Sequence, residues 1–177
     1  MDDTVKQDMD KSAAAFKNLV WPIVLPVIGG GDLLQMENVK DSNFAKILDI
    51  KAGIDEWQIH RDGMRGIASR IQQGEKAWNT FTIRLARDSG AQTEYEKRRI
   101  AIKTGMYIYP YLTIQAYVKI WKGPLLSVGI AKTADIIEFI KRELNAVRRT
   151  TNATFAVCAW QKIKVAGYWI SYYECPP

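Results

Sequence analysis

From Ala13 to Val20 the apolar residues fall at helical spacing, and Pro22 sets the limit of the helix they predict, since a proline disfavours helical geometry in the residue before it. The dozen residues ahead of it are polar and read as a flexible tail, residues 1–12. Gly29-Gly30-Gly31 reads as a turn, because neither a Gly-Lys-Ser/Thr sequence nor GxGxxG spacing accompanies it. Between Asp32 and Asp49 the residues Leu33, Leu34, Met36, Phe44, Ile47 and Leu48 again sit at helical spacing, which predicts one broken helix or two short ones. After Gly53 the period changes. Ile54, Trp57 and Ile59 predict an extended segment, Arg61-Asp62-Gly63 a hairpin turn, and Met64 to Gln72 the returning strand. Thr80 to Arg84 alternates polar and apolar side chains, and these three strands are expected to form an antiparallel meander.

The second half repeats the alternation of periods. Thr93 with Glu96 three residues on is a capping box, opening a helix through about Lys103 that stops at Gly105. Tyr107 to Trp121 predicts a long strand and Leu125 to Ile130 a short one. Thr133 caps a helix whose apolar stripe is Ile136, Ile137, Ile140 and Leu144. Thr154 to Trp160 and Val165 to Tyr173 predict two final strands. Helices thus alternate with groups of strands, which predicts an α+β (mixed α/β) domain: a central mixed sheet with an antiparallel meander, flanked by helices. At 177 residues with 47% hydrophobic composition, the chain is read as a single domain, 1–177, with a full core.

Charge changes this picture by where it sits. The net +6 is the sum of an acidic first third and a basic remainder: residues 1–60 carry six Lys/Arg against ten Asp/Glu, and residues 61–103 carry ten against five. A polyanionic partner, nucleic acid above all, is the natural complement of the second segment. Arg84, Arg87, Lys97, Arg98 and Arg99 cluster around one strand end and one helix and are the candidate phosphate contacts, with the helix expected to be strongly basic on its exposed side. Ordinary solvated charge is the alternative for the same residues. The longest apolar run, Leu19 to Ile28, is broken by Pro22 and Pro26 and is too short for a bilayer, so no membrane partner is expected. Acidic residues near the start argue against a secretory leader, and Cys158 and Cys175 read as reduced thiols, so a cytoplasmic location is expected. The aromatic residues near the end, among them Trp160, Tyr168, Trp169, Tyr172 and Tyr173, fit sheet packing or the surface of a homo-oligomer.

Candidate chemistry is narrow. The single histidine, His60, lies beside the hairpin turn and favours a surface role, which leaves triads and His/Cys zinc sites without their usual donors. Carboxylates remain: Glu37, Asp49, Asp55, Glu56 and Glu94. Asp55 follows Gly-Ile at a strand start, where a backbone held on both sides can fix a carboxylate for Mg²⁺, and Glu37 could supply a second. Glu94 and Glu96 are explained by the helix dipole alone.

The segment Gly53-Ile54-Asp55, followed by Ser69-Arg70-Ile71-Gln72 and then Thr80-Phe81-Thr82-Ile83-Arg84, resembles the core of PD-(D/E)XK nuclease-like proteins, roughly over residues 33–103. In that family a Gly-Ile-Asp on one strand is followed across a hairpin by a Glu/Gln-x-Lys motif. Here the returning strand reads Ala68-Ser69-Arg70-Ile71-Gln72-Gln73 and carries no Lys at that place. The resemblance implies a metal-dependent endonuclease, or a nuclease-derived nucleic-acid-binding protein, from a mobile-element, phage or defence setting. It implies Mg²⁺, or Mn²⁺, on Asp55 and Glu37, with Gln72 in place of the metal-facing acid and Arg70 or Arg84 neutralising the phosphate. The alternative is a non-catalytic module that binds nucleic acid or protein, with the aromatic strands as an oligomer interface.

Overall fold

In a computed structural model the described residues are 3–36, 51–143 and 147–174, together with 39, 43 and 47. The chain opens with helix α1 (Asp3–Ala15), a π-helical turn (Phe16–Val20) and α2 (Trp21–Val27). The helix expected from Ala13 therefore begins at Asp3 and runs past Pro22. That proline falls in the first turn of α2, where a missing N–H is tolerated.

Next come strands β1 (Asp32–Gln35), β2 (Glu56–His60), β3 (Gly63–Gln73) and β4 (Thr80–Arg87), helix α3 (Glu94–Thr104), and strands β5 (Leu112–Val118) and β6 (Leu125–Lys132). Helix α4 (Thr133–Glu143), strands β7 (Val147–Arg149) and β8 (Ala153–Ala159), helix α5 (Trp160–Val165) and strand β9 (Ile170–Glu174) complete the fold. Two sheets result. The larger runs β1-β2-β3-β5-β6-β9 and the smaller β4-β8-β7. In the larger sheet β3 and β5 are parallel and the other pairs antiparallel, so the protein is α+β with a mixed central sheet.

The antiparallel meander exists, but with different members. It is β1-β2-β3, because Asp32–Gln35 pairs with β2 instead of starting a helix. The remainder of the helical prediction over residues 32–49 falls mostly outside the described residues. The strand expected third, β4, leaves for the smaller sheet and pairs with β8. Parallel strands need a long crossover, and here that crossover is β4 followed by α3, which lays both over the β3–β5 junction. Tyr107–Tyr111 stays outside β5, and Trp160–Val165 is a helix between the last two strands, the second of which starts at Ile170 and not at Val165.

Strand β5 is buried along its whole length. Leu112, Ile114, Ala116 and Val118 join Phe16, Val20 and Val24 of the N-terminal helices in one core. On the opposite face Tyr117 packs with Phe81 of β4, Ile136 and Ile140 of α4, and Trp160 and Ile163 of α5. Thr113 and Gln115 share that second face by alternation, so polar side chains lie where the two sheets and α3 meet. Among the described residues no helix is long and apolar enough to cross a membrane.

Candidate functional site

The hairpin fixes Asp55. Its N–H donates to Ile67 O at 2.9 Å, its carbonyl accepts from Met36 N at 3.0 Å, and its Oδ2 accepts the Ser69 N–H at 2.7 Å. The backbone is thus held from both sides, as its place at a strand start suggests. Gly66 allows this closeness, since a Cβ there would lie 2.8 Å from Ile54 Cδ1. Only Gly63 in the turn has positive φ, and His60 Nδ1 accepts the Asp62 N–H at 3.3 Å, which gives the lone histidine a turn-bracing role.

Asp55 lines a cavity of about 440 Å³ bounded by the Ala52–Gly53 segment, β3, β4, β5 and the first half of α3. Arg70 of β3, Arg84 and Arg87 of β4, and Glu94, Lys97 and Arg98 of α3 line it as well, with Thr113 and Gln115 from β5. Five cations and two carboxylates therefore converge on one concavity. Capping places the helical members: Thr93 Oγ1 accepts the Glu96 N–H at 3.3 Å and Glu96 Oε2 accepts the Thr93 N–H at 2.8 Å, which fixes the first turn of α3.

Arg98 is 7% exposed, and its Nε is buried with no hydrogen-bond partner among the described residues. Burial pulls its pKa down, opposed by the charges of Asp55 and then Glu94. The helix is therefore not basic only on its exposed side, because one of its arginines is turned inward. Arg99 is the exposed one and does not line the cavity. Arg70 is likewise pulled down chiefly by burial, with Glu94 opposing. Its guanidinium stands 5.5 Å from the Phe155 ring centroid, and that of Arg84 5.2 Å from the same ring. Arg84 and Arg87 contact Glu94 Oε1 at 3.2 and 3.8 Å, while Glu94 Oε2 is buried without a hydrogen-bond partner among the described residues.

Gln72 is placed elsewhere. Its Oε1 accepts from Gln115 Nε2 at 3.0 Å; the same Nε2 donates to Tyr117 Oη at 2.9 Å, and Gln115 Oε1 accepts the Thr82 N–H at 2.9 Å. Tyr117 Oη donates in turn to Thr80 O at 3.0 Å, and burial raises the pKa of this phenol. This network ties the two sheets together, occupies Gln72 and keeps it out of the cavity lining. Glu37 lies outside the described residues, as does Cys175. Among the described residues no three His, Cys, Asp or Glu side chains gather as a metal-holding group. Cys158 is free and buried, which pushes its thiol up to about 12 and leaves it protonated and inert.

Two groups hold a place in the site that their sequence positions do not reveal, although Glu94 is among the candidate carboxylates. Glu94 looks like a helix-dipole residue, yet it faces the cavity. Phe155 carries no local signal at all, since its role depends on β8 pairing with β4, where it stands opposite Arg84. Comparison with known proteins gives no match: no protein-family model, no curated protein and no solved structure is significantly similar to this chain.

Proposed function

We propose that the cavity binds a phosphodiester of nucleic acid and that the protein is a Mg²⁺-dependent, PD-(D/E)XK-like nuclease. The observation that carries this reading is the convergence of Arg70, Arg84, Arg87, Lys97 and Arg98 with Asp55 and Glu94 on one concavity. Phosphate oxygens would complete the donor needs of the buried Arg98 guanidinium, and a charge-assisted bond to such a group is stronger than a neutral one. Mg²⁺ takes one or two carboxylates, with waters and phosphate oxygens filling the rest of its shell. Asp55 would supply one such carboxylate and Glu94, whose Oε1 meets Arg84 and whose Oε2 has no hydrogen-bond partner among the described residues, the second; Gln72, held by Gln115, does not fit. When bound, the metal would polarise the phosphate and lower the pKa of a bound water. Arg98 and Arg70 would neutralise charge on the phosphate, and the Ser69 N–H keeps the Asp55 carboxylate oriented.

Calorimetry on the full chain tests this. Mg²⁺ or Mn²⁺ should bind, Asp55→Ala should abolish the heat, and plasmid or single-stranded substrates should be cut only with metal present. Cleavage that survives Asp55→Ala unchanged would remove Asp55 from the site. A second reading, non-catalytic nucleic-acid binding, is favoured by the excess of cations over carboxylates and by Arg98, whose charge already acts on both acids. In that case no metal heat is seen, and Asp55→Ala leaves salt-dependent binding intact.

A further inference from the structure

We infer that the groove beside this cavity takes an unpaired nucleobase, so that the preferred ligand is a single strand. The inference rests on the phosphate reading of the cavity and deepens it. Helix α3 ends at Gly105, whose N–H bonds Ala101 O, and the chain is next anchored where the Tyr111 N–H meets Gly66 O at 2.7 Å. Between these anchors Met106–Pro110 belongs to neither helix nor strand. Met106, Tyr107 and Ile108 are 76%, 61% and 60% exposed. Three consecutive large apolar side chains left in solvent are an unusual expense for a protein surface and mark a contact site. With Tyr109 and Ile100 they line a groove of about 570 Å³.

Position selects the occupant. The groove and the phosphate cavity share Ala52 and Lys97 as lining residues. On α3, Glu94, Lys97 and Arg98 face the cavity while Lys97, Ile100 and Ala101 face the groove, two adjacent stripes of one helix with a cation at their boundary. A ligand that spans both is anionic at one end and apolar at the other, with a charge that Lys97 and Lys51 can meet. A nucleotide within a strand has that form, and stacking on an aromatic ring needs a base that is out of the duplex. DNA and RNA share this chemistry.

Fluorescence anisotropy on the full chain, at one fixed salt concentration, separates the parts. The probes are labelled oligothymidylate and oligouridylate, an abasic strand of the same length, and a duplex. The intact strands should bind at least tenfold more tightly than the abasic strand and more tightly than the duplex. Tyr107→Ala should weaken the intact strands by roughly 5- to 160-fold, the range for losing one stacked base, and leave the abasic strand unchanged. Tyr107→Trp should restore binding. An abasic strand bound as well as an intact one, or Tyr107→Ala weakening both alike, overturns the groove inference while the cavity reading stands. Failure of the cavity reading looks different, because the abasic strand then does not bind and Arg70→Ala changes nothing. A concentration-dependent dimer in sedimentation that Tyr107→Ala abolishes assigns the groove to a second copy of the chain and also overturns the inference.

Discussion

Gly129 on β6 shows how far single atoms constrain this fold. A Cβ at that position would lie 2.4 Å from Trp160 Cε2 and 2.7 Å from Cζ2. The indole has nowhere to go, being 1% exposed and packed against Phe81, Tyr117 and Tyr172 with centroids 5.9, 6.1 and 5.9 Å away. Overpacking of a filled core costs about 1–3 kcal/mol, and this site is at the upper end. Gly129→Ala should therefore lower Tm by roughly 6–12 °C at about 2–4 °C per kcal/mol for a chain of this size. Gly74→Ala is the control, since the nearest atom to its added Cβ is 3.9 Å away and Tm should hardly move. Thermal unfolding followed by circular dichroism reads both. The damage should also reach the cavity, because Tyr117 passes from the Trp160 cluster to Gln115 through its hydroxyl.

At the scale of elements, what depends on neighbours in sequence was legible and what depends on distant partners was not. The capping box at Thr93, the stop at Gly105 and the turn after His60 are local chemistry, and each stands where the residues put it. Alternation in Thr80–Arg84 does show a strand, but alternation carries no address, and the partner of β4 is 70 residues away on β8. Leu33 and Leu34 satisfy a helical spacing and a strand equally, so only pairing with β2 decides. The same limit applies to the site. Asp55, Arg84, Arg87, Lys97 and Arg98 were nameable from residue type and spacing and Arg70 only through the resemblance, whereas the place of the candidate carboxylate Glu94 in the cavity became visible only once α3 was laid over the β3–β5 junction. Because α3 carries three of the cavity's charged groups, its cap is coupled to function. Thr93→Ala leaves the Glu96 N–H without its acceptor and should cost about 1 kcal/mol. Denaturant unfolding should show that loss together with weaker oligonucleotide binding, and Thr93→Ser should recover both.

For the whole molecule, the central feature is that the two sheets hold one charged surface between them. Arg70 comes from the larger sheet, Arg84 from the smaller, and the Phe155 ring of β8 is shared by both guanidiniums. Like charges brought this close repel, and Arg84 does lower the pKa of Arg70; the ring face offsets part of that cost while setting both planes. Charge and placement can therefore be separated by experiment. A single strand that neutralises its phosphates on all five cations would give a slope of about −3.5 in log K against log salt, at roughly 0.7 per contact. Arg84→Ala should reduce that slope by about 0.7 as well as the affinity. Phe155→Leu should behave otherwise, since every charge is retained. Loss of two cation–π contacts of about 0.5–1 kcal/mol each, made within the protein and not to the ligand, frees both guanidiniums and should lower the affinity at any one salt concentration by no more than roughly 5- to 30-fold, with the slope unchanged. Phe155→Tyr should restore it. A Phe155→Leu protein whose slope falls along with its affinity would mean that the ring keeps the sheets together and not the arginines in register, so the comparison of slopes tests whether the second sheet belongs to the site.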